Sequence, residues 1–82
     1  MENTKQKTTG EQMMRTEFNP SNDSKVDVIK QKTAELIDLV YDLVDAKAGE
    51  APEMLLCSLV TRSAEQFEMA GMLAVKAATH TK

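Results

Sequence analysis

The hydrophobic residues of this chain are concentrated in its second part, and their spacing there is helical. Residues 25–80 contain thirty of them, whereas residues 1–24 contain four. From Val26 onward they recur at steps of three and four residues, the period of an amphipathic α-helix. No stretch alternates with the period of two for long enough to form a strand. The sequence therefore predicts an all-α fold.

A short break divides the apolar region into two helices. The segment Ala48-Gly49-Glu50-Ala51-Pro52 combines a glycine suited to a helix C-cap with a proline suited to a first helical turn. Asp23 or Ser24 suits the N-cap of the first helix. We predict helix 1 over about residues 24–47 and helix 2 over about residues 52–79, packed as an antiparallel two-helix hairpin.

The beginning of the chain has a different character. Residues 1–17 are mostly polar and lack apolar periodicity, which predicts a flexible N-terminal extension ahead of a helical hairpin domain over residues 18–82. Phe18-Asn19-Pro20, followed by further turn-forming residues, predicts a chain reversal that leads into helix 1.

Helix 2 is apolar on more than one side, although a hairpin gives each helix only one neighbour. Gly71 lies inside this helix, where glycine costs about 1 kcal/mol relative to alanine, so we expect another helix to approach it closely. The apolar region is also of a size that is marginally stable alone. We therefore expect the hairpin to assemble into a compact homo-oligomer.

Composition excludes several classes of function. A net charge of −3 gives no general reason to bind a DNA or RNA polymer. No apolar run reaches the roughly 18–20 residues that span a bilayer, so we expect no membrane partner. The polar N-terminus and the single cysteine favour a cytoplasmic protein.

The residues needed for catalysis are scarce. Cys57 lies among leucines with no activating base nearby in sequence, and a buried thiol that acts as a small hydrophobe is the simpler interpretation. His80, the single histidine, follows the end of helix 2. Neither metal-ligand spacing nor a glycine-rich phosphate loop is present. We expect no enzymatic activity, no cofactor and no metal site.

Basic residues near the start of helix 1 suggest an anion site. Lys30 and Lys32 follow a helix N-terminus, whose dipole is already positive, and the aromatic Phe18 precedes them. An aromatic ring beside lysines suits a base stacked next to its phosphate. A solvated basic turn, with Phe18 packed as a hydrophobic staple, is the structural alternative. Arg62 and Lys76 in helix 2 suit surface ion pairs, but a symmetric oligomer would present each several times around one ligand.

Two parts of the chain resemble the small phage-encoded hairpin proteins that counter the CBASS immune system, which are related to the hairpin domain of anti-Thoeris proteins. The resemblance covers roughly residues 18–80. The first part comprises Phe18-Asn19-Pro20, Val26-Asp27-Val28-Ile29-Lys30 and Ala34-Glu35-Leu36-Ile37-Asp38. The second is Thr61-Arg62-Ser63-Ala64-Glu65-Gln66-Phe67-Glu68-Met69-Ala70-Gly71-Met72-Leu73-Ala74-Val75-Lys76-Ala77-Ala78-Thr79.

The resemblance implies a homohexamer that binds cyclic dinucleotides, cyclic trinucleotides or both without cleaving them. Such a protein acts as a sponge for immune second messengers in the host bacterial cytoplasm. Phe18 would stack on a base, Lys30 would meet a phosphate, and Lys76 would belong to a second site. The expected ligand-binding residues are Phe18, Asn19, Lys30, Lys32, Thr33, Arg62, Ser63 and Lys76.

Another class of function fits the same pattern. A small oligomeric adaptor or assembly protein would bind a partner protein through the apolar, alanine-rich second helix. Calorimetric titration with cyclic nucleotides distinguishes the two hypotheses.

Overall fold

The computed structural model describes residues 6–45 and 53–80, and within these ranges it contains three helices and no strand. They are α1 (Thr9–Met14), α2 (Ser24–Asp45) and α3 (Met54–Ala78). The predicted all-α fold is confirmed. The predicted break at residues 48–52, like the predicted end of helix 1, lies outside the described ranges. No helix in the described ranges has the length and apolarity needed to cross a membrane.

The start of α2 agrees with the predicted cap. Asp23 directly precedes the helix, and its carboxylate Oδ1 accepts the backbone N–H of Lys25 at 2.9 Å. This bond satisfies one of the N–H groups that have no partner within the helix. At the other end of the helical region, Thr79 follows α3, and its hydroxyl donates to the carbonyl oxygen of Val75 at 3.0 Å.

Helices α2 and α3 pack side by side along their length. Val26 and Val75 line one cleft, and Tyr41 and Cys57 line another, so the start of α2 lies beside the end of α3. Between them, Gly71 is buried where a Cβ atom would lie 2.8 Å from Thr33 Cγ2. The predicted close approach at this glycine is confirmed.

Helix α1 shows that residues 9–14, part of the predicted flexible extension over residues 1–17, form a helix. Its N-cap is Thr8, whose hydroxyl accepts the N–H of Glu11 while the Glu11 carboxylate accepts the N–H of Thr8. Hydrogen bonds to the Glu11 carboxylate lower its pKa, chiefly the one from the Thr8 N–H and then one from the side-chain amide of Gln31. Met14 at the end of α1 is fully buried in the core. Helix α1 is therefore anchored by a core side chain.

Contacts between α1 and α2 fix the short helix in place. Gly10 is buried against α2, where a Cβ atom would overlap the carbonyl group of Ala34. Its N–H donates to Asp38 Oδ1 at 2.8 Å. The Asp38 carboxylate on α2 thus satisfies a helix-start N–H of α1.

The described residues leave much apolar surface outside the core. The buried hydrophobic side chains are Met14, Val26, Ala34, Ile37, Val60 and Ala64. Exposed ones form a row on each long helix, roughly opposite its buried face at 100° per residue. We call these rows the outer stripe of α2, comprising Val28, Leu36, Leu39 and Leu43, and the outer stripe of α3, comprising Leu55, Leu59, Met69 and Leu73. Helix α3 is thus apolar on two sides, as its sequence predicts.

Candidate functional site

The connection between α1 and α2 presents an aromatic ring to solvent. Arg15 ends α1 with a φ of 53°, in the left-handed region, and the chain then turns so that the Phe18 N–H donates to the Arg15 carbonyl oxygen at 2.9 Å. A second left-handed residue, Asn22 with a φ of 58°, redirects the chain into α2. The Phe18 side chain between these points is 52% exposed.

Lys30 lies beneath this connection and is only 4% exposed. Its ammonium group donates to the carbonyl oxygen of Arg15 at 3.2 Å and to the carbonyl oxygen of Phe18. The Nζ atom is also 5.4 Å from the centroid of the Phe18 ring, within range of a cation–π interaction. These partners compensate for the removal of the charge from water. Lys30 is therefore close to Phe18, as predicted, but its ammonium group is bound to the backbone.

A second cation stands over the same ring. The guanidinium carbon of Arg15 is 4.7 Å from the Phe18 ring centroid, and the Arg15 side chain is exposed. Arginine stacks well on aromatic rings and keeps its N–H donors available in the plane of the guanidinium group. The Phe18 ring therefore lies beside one buried cation, Lys30, and one exposed cation, Arg15.

Two clefts share this ring, and a third adjoins one of them. The charged cleft, of about 460 Å³, is lined by Lys7, Glu11, Gln12, Arg15, Glu17 and Phe18. The turn cleft, of about 430 Å³, is lined by Phe18, Asn19, Pro20, Ser21, Val26, Val75 and Thr79. The methionine cleft, of about 440 Å³, is lined by Met69, Met72, Leu73, Val75, Lys76 and Thr79. Phe18 belongs to the first two clefts, and Val75 and Thr79 join the second to the third.

Asn19, a predicted ligand residue, holds the turn together. Its amide nitrogen donates to the Asp23 carbonyl oxygen at 2.9 Å and to Asp27 Oδ1 at 3.0 Å. Its amide oxygen accepts the Ser21 hydroxyl at 2.6 Å. The side chain lines the turn cleft, yet both of its polar atoms have partners in the protein.

The other predicted residues of α2 lie on different faces. Thr33 is half-buried against Gly71, and its hydroxyl donates to the Ile29 carbonyl oxygen at 2.7 Å. Lys32 is exposed and falls among the residues of the outer stripe of α2. Two residues along a helix rotate a side chain by about 200°, so Lys32 is directed away from the buried Lys30.

The predicted residues of α3 are divided between two places. Lys76 is exposed and lines the methionine cleft, next to the turn cleft that Phe18 lines. Arg62 is exposed, whereas Ser63 is half-buried and donates its hydroxyl to the Val60 carbonyl oxygen at 3.0 Å. Val75 lines the turn cleft together with Phe18. Arg62 precedes Val75 by thirteen residues, which is about 20 Å along the helix. Arg62 therefore does not reach Phe18 of the same chain.

Sequence reasoning missed Arg15, because it assigned the surrounding segment to a flexible extension. A signal was present in Thr8-Thr9-Gly10-Glu11, which has the capping-box pattern of a helix start. The side chains of Met13 and Met14 follow it and supply the apolar contacts that anchor the short helix.

In the described ranges, no group of three or more His, Cys, Asp or Glu side chains is arranged to hold a metal ion. Comparisons of the chain with protein-family models, curated proteins and solved structures give no match. The resemblance to the anti-CBASS hairpin proteins consequently remains a hypothesis, which depends on the residues themselves.

Proposed function

We propose that this protein binds and sequesters cyclic oligonucleotide second messengers, either dinucleotides or trinucleotides, without cleaving them. The observation that carries the proposal is the half-exposed Phe18 ring, which has cations beside it and belongs to two clefts at once. A nucleobase stacks on such a ring, and a phosphate pairs with a nearby cation. Clefts of a few hundred Å³ are also of the size that small ligands occupy.

The proposed biological role is immune evasion by a phage in the cytoplasm of its bacterial host. A binder present in excess lowers the free concentration of the messenger that activates CBASS-type effectors. The resemblance of residues 18–80 to anti-CBASS proteins supports this role.

The proposed architecture is an antiparallel α2–α3 hairpin, repeated in a compact homo-oligomer. Pairing of the start of α2 with the end of α3 supports the hairpin. The two outer stripes support assembly, because large apolar side chains that recur along an exposed helix face are stabilised by burial against another surface. The resemblance favours six copies.

Assembly would also explain the scattered positions of the candidate ligand residues. Arg62 lies too far along α3 to meet Phe18 of its own chain. In a closed symmetric assembly, a neighbouring copy could supply Arg62 at the Phe18 site, and Lys32 would lie close to the interface formed by the outer stripe of α2. Lys76, in the adjoining methionine cleft, is the proposed cation of a second ligand site.

An adaptor that binds another protein is the second candidate. The outer stripe of α3, with Leu55 and Leu73 both at least 60% exposed, favours it because such a face could pack against a helix of a partner. An adaptor would give no heat with any cyclic nucleotide.

Calorimetric titration with a panel of cyclic dinucleotides and trinucleotides tests the proposal. We expect at least one ligand to bind to the wild-type protein. Phe18→Ala should weaken that binding by about 1–3 kcal/mol, which is roughly 5- to 150-fold in Kd, because it removes the stacking surface.

Phe18→Tyr is the matched control, since it retains the ring and should keep the Kd within about threefold. Absence of heat with every member of the panel would reject the proposed function. Equal affinities for Phe18→Ala and the wild type would show that the ligand binds elsewhere.

A further inference from the structure

The two cations beside Phe18 differ in what they can offer to a ligand. The Lys30 ammonium group is buried and donates to the carbonyl oxygens of Arg15 and Phe18. These bonds use two of its three N–H donors, and the burial of the side chain keeps the third away from a phosphate in solvent. Movement of the ammonium group toward a ligand would remove a donor from two part-buried carbonyl oxygens, so the arrangement favours retention of these hydrogen bonds.

Arg15, by contrast, is exposed at the edge of the charged cleft. The other charges of this cleft have partners: Lys7 pairs with Glu17, and the Glu11 carboxylate accepts the Thr8 N–H at 3.1 Å. Across the part of the chain that the structure describes, no carboxylate forms a salt bridge with the Arg15 guanidinium group. Its contact is with the face of the Phe18 ring, which leaves the N–H groups at its edge available to an anion.

The backbone of Arg15 makes this side chain replaceable without loss of local structure. A φ of 53° suits glycine or asparagine better than arginine. Arginine at this position therefore gives no backbone advantage to the helix end. The presence of arginine at position 15 is therefore better explained by an interaction of its side chain.

We propose that Arg15 is the phosphate-binding cation of the Phe18 site, and that Lys30 is a positioning residue that fixes the backbone carrying Arg15 and Phe18. This inference rests on the proposed function. One ligand nucleotide places its base against Phe18 and its phosphate against the guanidinium edge of Arg15, where a planar fork of donors pairs with two phosphate oxygens. Lys30 acts only through the two carbonyl groups that it holds.

The test is calorimetric titration of the full-length protein with cyclic di-AMP, cyclic di-GMP and cyclic tri-AMP at several NaCl concentrations. We expect Arg15→Gly to raise the Kd at least tenfold and to flatten its dependence on salt, because a screened charge contact has been lost. Its melting temperature should stay within about 2 °C of the wild-type value, since glycine suits the left-handed backbone. Arg15→Asn, which also tolerates this backbone, should behave alike.

Two further variants separate a direct contact from indirect effects. Lys25→Gln removes one positive charge from an exposed position of α2 and should leave the Kd within about twofold. Lys30→Met keeps the length of the side chain but removes its hydrogen bonds. It should lower the melting temperature and weaken binding while the salt dependence stays that of the wild type.

The outcomes distinguish this inference from the proposed function. If the wild type binds none of the three probes, the proposed function fails for these ligands and the inference fails with it. If the wild type binds and both Arg15 variants match Lys25→Gln, the assignment of Arg15 is overturned while sequestration stands. A Lys30→Met variant with the wild-type melting temperature and a flattened salt dependence would make Lys30 the phosphate ligand, and would also overturn the inference.

Discussion

Gly10 and Gly71 each lie where another helix approaches closely, and they differ in what surrounds them. A Cβ atom at Gly10 would overlap the backbone carbonyl of Ala34, which cannot move without displacing α2. A Cβ atom at Gly71 would lie 2.7 Å from Met14 Cε, the end of a flexible side chain, and 2.8 Å from Thr33 Cγ2, part of a stiffer side chain, but would meet no backbone atom as closely. The protein should therefore tolerate a methyl group added at a glycine better where it meets a side chain than where it meets the backbone.

We predict that Gly10→Ala lowers the free energy of unfolding by about 1–3 kcal/mol, the usual cost of overpacking. Gly71→Ala should cost less, because the added methyl group meets side chains and not backbone, and the higher helix propensity of alanine offsets part of the overlap with Met14 and Thr33. Chemical denaturation of the two variants and the wild type checks the order. A more stable Gly10→Ala variant would contradict the described position of α1.

Lys30 shows how far a candidate site can be predicted from residue types. The proximity of Lys30 to Phe18 could be anticipated, because both lie near the predicted start of helix 1. Its burial could not, since the carbonyl groups that surround it belong to a chain segment whose path depends on α1. The same holds for Asn19, whose amide has hydrogen-bond partners that become apparent only when the turn is folded.

At the scale of elements, α1 depends on tertiary contacts. A helix of six residues is too short to be stable alone, so its order comes from Met14 in the core and from the fit of Gly10 against α2. Helices α2 and α3 could be predicted because apolar residues recur over many turns. The apolar part of α1 is only Met13 and Met14, too few to establish a period.

We predict that Met14→Ala destabilises the protein by about 2–5 kcal/mol and releases α1 from α2, because it empties a fully buried position. Hydrogen exchange should show faster exchange of the Gly10 N–H, which donates to Asp38. Gln12→Ala, at an exposed position of the same helix, is the control and should change stability by about 0.5 kcal/mol at most. Unchanged protection of Gly10 in Met14→Ala would contradict the dependence of α1 on Met14.

At the scale of the whole molecule, the distribution of apolar side chains favours assembly of several copies of the chain. Leu39 in the outer stripe of α2 and Leu73 in the outer stripe of α3 are 61% and 60% exposed, whereas the buried hydrophobic core of the described residues contains no leucine. Burial of a leucine between copies would contribute about 1.5–3 kcal/mol each. The proposed binding sites would then form in the same step as the assembly.

We predict that light scattering gives the wild type a mass that is a multiple of 9.1 kDa, about six times that value if the resemblance holds. Leu39→Glu should reduce the mass, because it introduces a charge into the proposed interface. Leu39→Met is the control and should leave the mass unchanged, since methionine is apolar and of similar volume. A folded wild-type monomer at micromolar concentration would contradict the proposed assembly.

The proposed function requires that the protein hold a cyclic oligonucleotide without altering it. The most direct measurement mixes each labelled cyclic dinucleotide or trinucleotide with an excess of protein, separates bound from free ligand by ultrafiltration, and then denatures the retained complex by heat. We predict that at least one ligand is retained with the protein and is recovered intact and in full by chromatography. Free passage of every ligand through the filter, or recovery of a linear product, would contradict it.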